Sequence, residues 1–252
     1  MICDIQRAST WRRMSALLLD VVLIAIIASG FAYLLSIITN YGHYDDVLNE
    51  CYAELEEKYG VPINITRYEY EELPQEEKDK YDALAEELNS NEEALYAYNM
   101  TVNLMIVIVS IGILLSILIL EFVIPLIFKN GQTIGKKCFA LGVVKNNSVR
   151  ITTLQLFVRS FLGKYAIEIM IPTFAIILIL FGNGGLFGII TLFGITIFQL
   201  ILVIFSKNHT AIHDVFAYTV VIDMNTQMIF DNEEKLLEYK KEKHMLQVSE
   251  QK

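Results

Sequence analysis

Cysteine is scarce: Cys3, Cys51 and Cys138 are the only three in 252 residues, and they fall in separate regions. No C-x-x-C spacing occurs, so neither a disulfide framework nor a cysteine-built zinc site is expected, and the three are read as unpaired thiols. Charge is thin as well, at 19% of residues against 54% hydrophobic. Lys and Arg number 20 against 29 Asp and Glu, and no basic surface is interleaved with aromatics. Nucleic acid is therefore not an expected partner. Acid is missing altogether from residues 129–165, which hold 7 basic residues. Base is nearly missing from 39–99, where 17 acidic residues face 4 basic ones, a balance of −13. The overall charge of −9 averages two segregated regions.

What the chain has in quantity is apolar sequence, with a mean hydropathy of +0.44. It is gathered into four runs at 14–38, 102–128, 164–182 and 186–205. Each approaches or exceeds the roughly 20 residues that span a bilayer, and the second requires tilt. The expected fold is thus an all-α membrane protein with four transmembrane helices. Residues 182–185, three glycines around Asn183, suit a tight turn between the last two spans. The first run is too long for a signal-peptide core of about 7–15 residues, and Asp20 interrupts it, so it is read as a retained helix.

Basic residues set the orientation. Arg7, Arg12 and Arg13 precede the first span, and Lys129, Lys136, Lys137, Lys145, Arg150, Arg159 and Lys164 occupy the loop 129–163 or the edge of the third span. Both termini and that loop are expected in the cytoplasm of a cell (inner) membrane protein, with the acidic insert 39–99 outside.

Within the insert, Leu48, Cys51, Tyr52, Leu55 and Tyr59 recur at helical spacing, as do Tyr81, Leu84, Leu88, Leu95 and Tyr98. Two helices packed face to face are expected, with Gly60, Pro62 and Pro74 marking a non-helical connector. The acidic residues lack an EF-hand spacing and read as a solvated face. In the basic loop, "GQTIGKK" fails as a phosphate-binding loop, because three residues separate Gly131 from Gly135 and Lys137 stands where Ser or Thr is required. "ALGVVK" and "SVRIT" flank Asn146-Asn147 as a hairpin, and "YTVVID" at 218–223 supplies a third strand for a small cytoplasmic sheet. The tail 206–252 closes on a short helix around 233–243. Four N-x-S/T matches, beginning at Asn64, Asn99, Asn146 and Asn208, read as chance.

Charged side chains inside spans are costly and mark sites. Asp20 lies six residues past Met14 and Glu121 seven before Phe128, so the antiparallel first and second spans place them at similar depth. Glu168 is shallower on the same side, and the outer halves of all four spans carry no charge. The two carboxylates are expected to share a proton, coordinate a cation such as Na⁺, Li⁺ or K⁺, or pair with inner-surface cations. Arg13, seven residues before Asp20 on the same helix face, is one candidate partner, and Arg159 and Lys164 are others. Whether Asp20 lies on an ion path or fixes helix register is left open by these residues. Pro125 and Pro172 are expected to kink spans two and three. His209 and His213 stand one turn apart with Asp214 following, but lack the Glu of H-E-x-x-H, so no metal site is expected.

Four ordered blocks, "WRRMSALLLD" (11–20), "GQTIGKKCFALGVV" (131–144), "VRSFL" (158–162) and "NHTAIHDVFAYTVV" (208–221), resemble the RDD family of bacterial multi-pass membrane proteins, over about 11–223. The resemblance implies that the name-giving positions are an arginine of Arg12-Arg13, Asp20 and Asp214, and Glu121 fits an often acidic position. The insert is longer than the connection usual in that family, so nothing carries onto it. A few members have been proposed as Na⁺/H⁺-type exchangers or other transporters. The expected function is therefore a transporter or cation/proton exchanger using Arg12 or Arg13, Asp20, Glu121, Arg159 and Asp214. Glu168, His213 and Lys136 are secondary candidates. The alternative is a non-transporting scaffold or accessory subunit whose Arg–Asp pairs hold the bundle. No enzyme activity and no cofactor are expected. The lipid bilayer, a second copy of the chain or another membrane protein are the expected partners.

Overall fold

A computed structural model describes residues 8–180, 185–206 and 210–250, excepting the side chains of 67 and 248–250. The expected turn at 182–185 is therefore mostly outside the described residues, as are His209 and Cys3.

Four helices are long and apolar enough to cross a membrane: α1 (Thr10–Ile38), α5 (Glu92–Phe128), α7 (Thr153–Leu180) and α8 (Gly185–Phe205). Their large apolar side chains lie largely exposed, among them Leu18, Ile26, Ile38, Phe187 and Phe205. Apolar faces of this extent have no stable place in water and belong against lipid. The chain is thus a multi-pass membrane protein.

Two compact units make up the chain, residues 29–112 and the remainder. In the first, α2 (Tyr41–Tyr59) and α4 (Gln75–Ser90) pack through Leu55, Tyr81 and Leu84, as their helical spacing anticipates. The connector differs from its sequence reading, for it contains α3 (Arg67–Glu72). Thr66 accepts from the Glu69 N–H, while the Glu69 carboxylate accepts from the Thr66 N–H. This reciprocal cap starts a helix that composition alone obscures. Leu95 and Tyr98 belong to α5 rather than to the second insert helix, because Asn91 caps a new helix from Glu92, accepting from Glu93 and Ala94 N–H.

In the second unit, Ile24 of α1, Ile117 and Leu120 of α5 and the partly buried Tyr165 and Ile169 of α7 form the shared helical core. Below them lies α6 (Ile134–Cys138), followed by β1 (Leu141–Lys145); after α8 come α9 (Ile212–Ala217) and β2 (Thr219–Asp223). The strands pair antiparallel, from Leu141 opposite Asp223 to Lys145 opposite Thr219. Leu141, Val143 and Val221 pack on Ala16 of α1, so the sheet seats against the first span. Of the three expected strands, "SVRIT" does not join the sheet. "SVRIT" makes only isolated bridges, Val144 with Arg150 and Val149 with Phe230. Ser148, at φ 65°, closes the turn after Asn146-Asn147, and the chain then leaves the sheet toward the tail helix. That helix, α10, runs over Glu233–Glu250, longer than expected, and is seated by Leu236 and Tyr239 against Val149 and Phe230.

Neither proline simply breaks its helix. Leu118–Val123, before Pro125, and Val158–Met170, before Pro172, adopt wide turns with i→i+5 hydrogen bonding. Such turns hold more residues than an α-turn and gather at functional positions. Glu121 lies in the first wide segment, and Arg159, Lys164 and Glu168 lie in the second.

Candidate functional site

The wide turns explain how one helix carries three charges inward. Side chains five residues apart fall on different faces of an α-helix, but i→i+5 winding brings Arg159 and Lys164 toward one face, with Glu168 following. Arg159 and Lys164 are both buried.

Asp20 and Glu121 do not meet. Asp20, 4% exposed, is taken up by α6. Its Oδ1 accepts from the Gly135 N–H at 2.8 Å and its Oδ2 from the Thr133 hydroxyl at 2.5 Å, with Lys136 Nζ 3.6 Å away. Thr133 in turn caps α6 by accepting from the Lys136 N–H at 3.2 Å. A carboxylate at the unpaired N–H groups of a helix start satisfies donors that would otherwise be buried and bare. Asp20 is thus a cap supplied from another helix. Gly135 makes this approach feasible, since a Cβ there would sit 2.3 Å from the Ala16 carbonyl oxygen. Glu121, 1% exposed, instead pairs with Lys164, and the Ser160 hydroxyl donates to the Glu121 carbonyl at 2.7 Å. Lys136 lies in the field of both carboxylates; burial lowers its ammonium's proton affinity and Glu121 and Asp20 offset only part of that.

The second capped helix repeats the arrangement. The Ile212 N–H donates to Gln199 Oε1 at 3.1 Å, and the His213 N–H donates to Glu168 Oε1 at 3.0 Å. His213 Nδ1 also lies 2.8 Å from Glu168 Oε2. Next along α9, Asp214 Oδ1 accepts from Arg159 Nε at 3.0 Å and from the Thr219 hydroxyl at 2.9 Å. Gly163 permits this contact, because a Cβ would stand 2.5 Å from the His213 Cα. Burial alone would push the Asp214 carboxyl up, but Arg159, His213 and Arg13 together hold it well below the usual carboxylate range. Glu121 Oε2, Arg159 Nη2 and Asp214 Oδ2 are buried without a hydrogen-bond partner among the described residues.

The two arginines of the first block diverge. Arg12 pairs with Asp223 at the end of β2, and its Nη2 donates to the Phe139 carbonyl at 2.5 Å. Asp223 is held below its ordinary range by the Asn225 N–H and by Arg12. Arg13 does not reach Asp20; it lies in the field of Asp214 and Arg159 and lines a cavity of about 170 Å³. Arg159, expected near Asp20, serves Asp214 instead. Asp20 and Glu121 do not line that cavity; each is paired with a different lysine, Lys136 and Lys164. No group of three or more His, Cys, Asp and Glu is arranged to hold a metal there.

Sequence reasoning left out Thr133, Ser160, Gln199, Thr219 and Asp223, and held Lys164 only as a partner of the Asp20 layer. One signal was available: a Thr directly before "IGKK" reads as an N-cap. Thr133→Val removes both that cap and a hydrogen bond to Asp20, and is expected to cost about 1–2 kcal/mol, measured as a lower midpoint in detergent denaturation.

Comparison with curated proteins and with solved structures finds no match. The model of the RDD family does match, over residues 7–218, a stretch that holds Arg12, Arg13, Asp20, Glu121, Arg159 and Asp214. With most of its length covered by that match, the chain belongs to the RDD family.

Proposed function

We propose that this protein is a non-transporting membrane scaffold or accessory subunit, whose buried ion pairs hold spans, sheet and surface helices in register. The supporting observation is charge balance. Asp20 has Lys136, Glu121 has Lys164, Asp214 has Arg159 and Glu168 has His213. A cation carrier needs carboxylates whose charge is available to its cargo, whereas Asp20, Glu121 and Asp214 each face a Lys or Arg of the chain and Glu168 is hydrogen-bonded to His213. Asp20 and Glu168 are further tied to backbone N–H groups at helix starts, which no ion replaces.

The basic residues flanking α1 and α7 favour cytoplasmic termini and sheet, with the acidic insert on the outer face. The insert's side carries a small cleft of about 180 Å³ bordered by Tyr52, Leu88 and Tyr98.

Reconstitution in liposomes tests the reading. Wild type is expected to show no ΔpH-driven Na⁺, Li⁺ or K⁺ exchange above protein-free vesicles. Asp20→Asn is expected to lower stability by about 1–3 kcal/mol, since Lys136 keeps a buried charge while its counter-charge is gone. Exchange in wild type that disappears in Asp20→Asn, with thermal stability unchanged, would overturn the scaffold in favour of an ion path.

A further inference from the structure

The cavity beside the ion-pair network has a charge of its own. Arg13, Lys136, Arg159 and Lys164 line it, against only Glu168 and Asp214. The carboxylates that balance Lys136 and Lys164, Asp20 and Glu121, do not reach its wall. The network as a whole is balanced, but its cations are toward the cavity and two of its anions are behind. Among the described residues, the Arg13 guanidinium has no hydrogen-bond acceptor, although it is half-buried and carries five donors. Asp214 acts on it only through its field, with no hydrogen bond between them, and a fork of donors without a bonded carboxylate suits an oxyanion.

The other side of the cavity is apolar and continuous with the lipid-facing surface. Met14 and Leu17 line it from α1, and both remain exposed, at 55% and 44%. Val203 lines it from α8. Arg13 stands one turn inside the start of α1 at Thr10, the level at which headgroups lie. The volume, about 170 Å³, is several times the ~30 Å³ share of one water molecule.

We propose that this cavity binds a phosphate oxyanion, with Arg13 as its principal free donor and Lys136, Arg159 and Lys164 supplying the field. The same chemistry is offered by an anionic phospholipid headgroup and by phosphate in solution. The apolar edge at Met14, Leu17 and Val203 favours the lipid, whose acyl chain continues along α1 and α8. The site shares Lys136, Arg159 and Lys164 with the ion pairs of the scaffold reading, and Arg13, which is in none of those pairs, tests it separately.

Thermal stability of the full chain in detergent is the measurement, with phosphatidylglycerol, phosphatidylcholine of the same chains, sodium phosphate or sodium chloride of equal ionic strength added. Phosphatidylglycerol is expected to raise the midpoint above phosphatidylcholine at the same lipid-to-detergent ratio. Arg13→Gln, which breaks no ion pair of the fold, is expected to weaken the apparent affinity about tenfold. Arg150→Gln, whose Arg150–Asp231 contact is exposed, is expected to leave it unchanged. A shift produced equally by inorganic phosphate supports the site with a soluble occupant. Equal responses to phosphatidylglycerol and phosphatidylcholine with none to phosphate, or an Arg13→Gln response matching wild type, overturn it.

Discussion

Arg159→Leu is expected to destabilise the protein by about 3–5 kcal/mol, the range for removing one partner of a fully buried ion pair. Arg159 is 2% exposed and Asp214 1%, so neither has water to fall back on. The substitution leaves Asp214 with the Thr219 hydroxyl and His213, and with Arg13 at longer range. The cost is the stranded charge rather than the lost attraction, so Arg159→Leu/Asp214→Leu should recover much of the loss. Replacing both members of a buried pair with apolar residues is often close to neutral. The pH dependence follows from the same pair. Asp214 has its carboxyl depressed in the folded state, so its contribution is fully present above the unfolded value and is lost as pH falls through the folded one. Wild type therefore keeps this contribution in full above about pH 4, the ordinary range of an aspartate, and loses it progressively as pH falls below that. In Arg159→Leu the folded value rises, protonation relieves the stranded charge, and the deficit relative to wild type should shrink on acidification. A deficit that is flat from neutral to acid pH would place the damage in packing instead.

The readable and unreadable parts of the sequence divide along a physical line. The four spans were legible because a bilayer demands uninterrupted apolar length, and the runs ending at Ile38, Phe128 and Phe205 meet it without reference to tertiary structure. The strands "LGVVK" and "TVVID" were legible as β-branched runs that match no helix period, but not their direct pairing, since "SVRIT" was the hairpin partner expected for the first. The grouping of charges was not. Equal depth suggested that Asp20 and Glu121 lie in one layer, but depth fixes only one coordinate, and each pairs with a different lysine. Lys164 and Glu168, four residues apart, share a face of any helical wheel, but Arg159, five residues before Lys164, does not; the wide turns before Pro172 bring it in. Seven-residue spacing likewise placed Arg13 with Asp20, whereas α6 and its Gly135 occupy the Asp20 carboxylate from the side. The partners of a buried charge are chosen by the loops that close over it, and those are the parts with the weakest periodic signal.

Gly135→Ala separates two physical accounts with opposite signs. Helix propensity alone predicts a gain, since Ala is favoured over Gly inside a helix by roughly 0.5–1 kcal/mol, and Gly135 is within α6. Packing predicts a loss. The added Cβ would lie 2.3 Å from the Ala16 carbonyl oxygen and 2.7 Å from Asp20 Oδ1. The first contact is with backbone of a membrane-spanning helix, which cannot swing aside as a long side chain would. Either α6 lifts from α1, or α1 bends. Lifting α6 separates Asp20 from the Gly135 N–H and the Thr133 hydroxyl, and draws Lys136 away with them. The expected outcome is a net loss on the order of 3 kcal/mol, from overpacking together with two broken hydrogen bonds to a charged group. Denaturation midpoints for wild type, Gly135→Ala, Asp20→Ala and the double variant measure it. Because the shorter contact is with a carbonyl oxygen, truncating Asp20 should not rescue Gly135→Ala. Since both changes disrupt one capped junction, their costs should also sum to more than the double variant shows. A stabilised Gly135→Ala would mean that α6 does not rest on α1 as closely as the Asp20 cap requires, and would remove the basis for reading Asp20 as a structural residue.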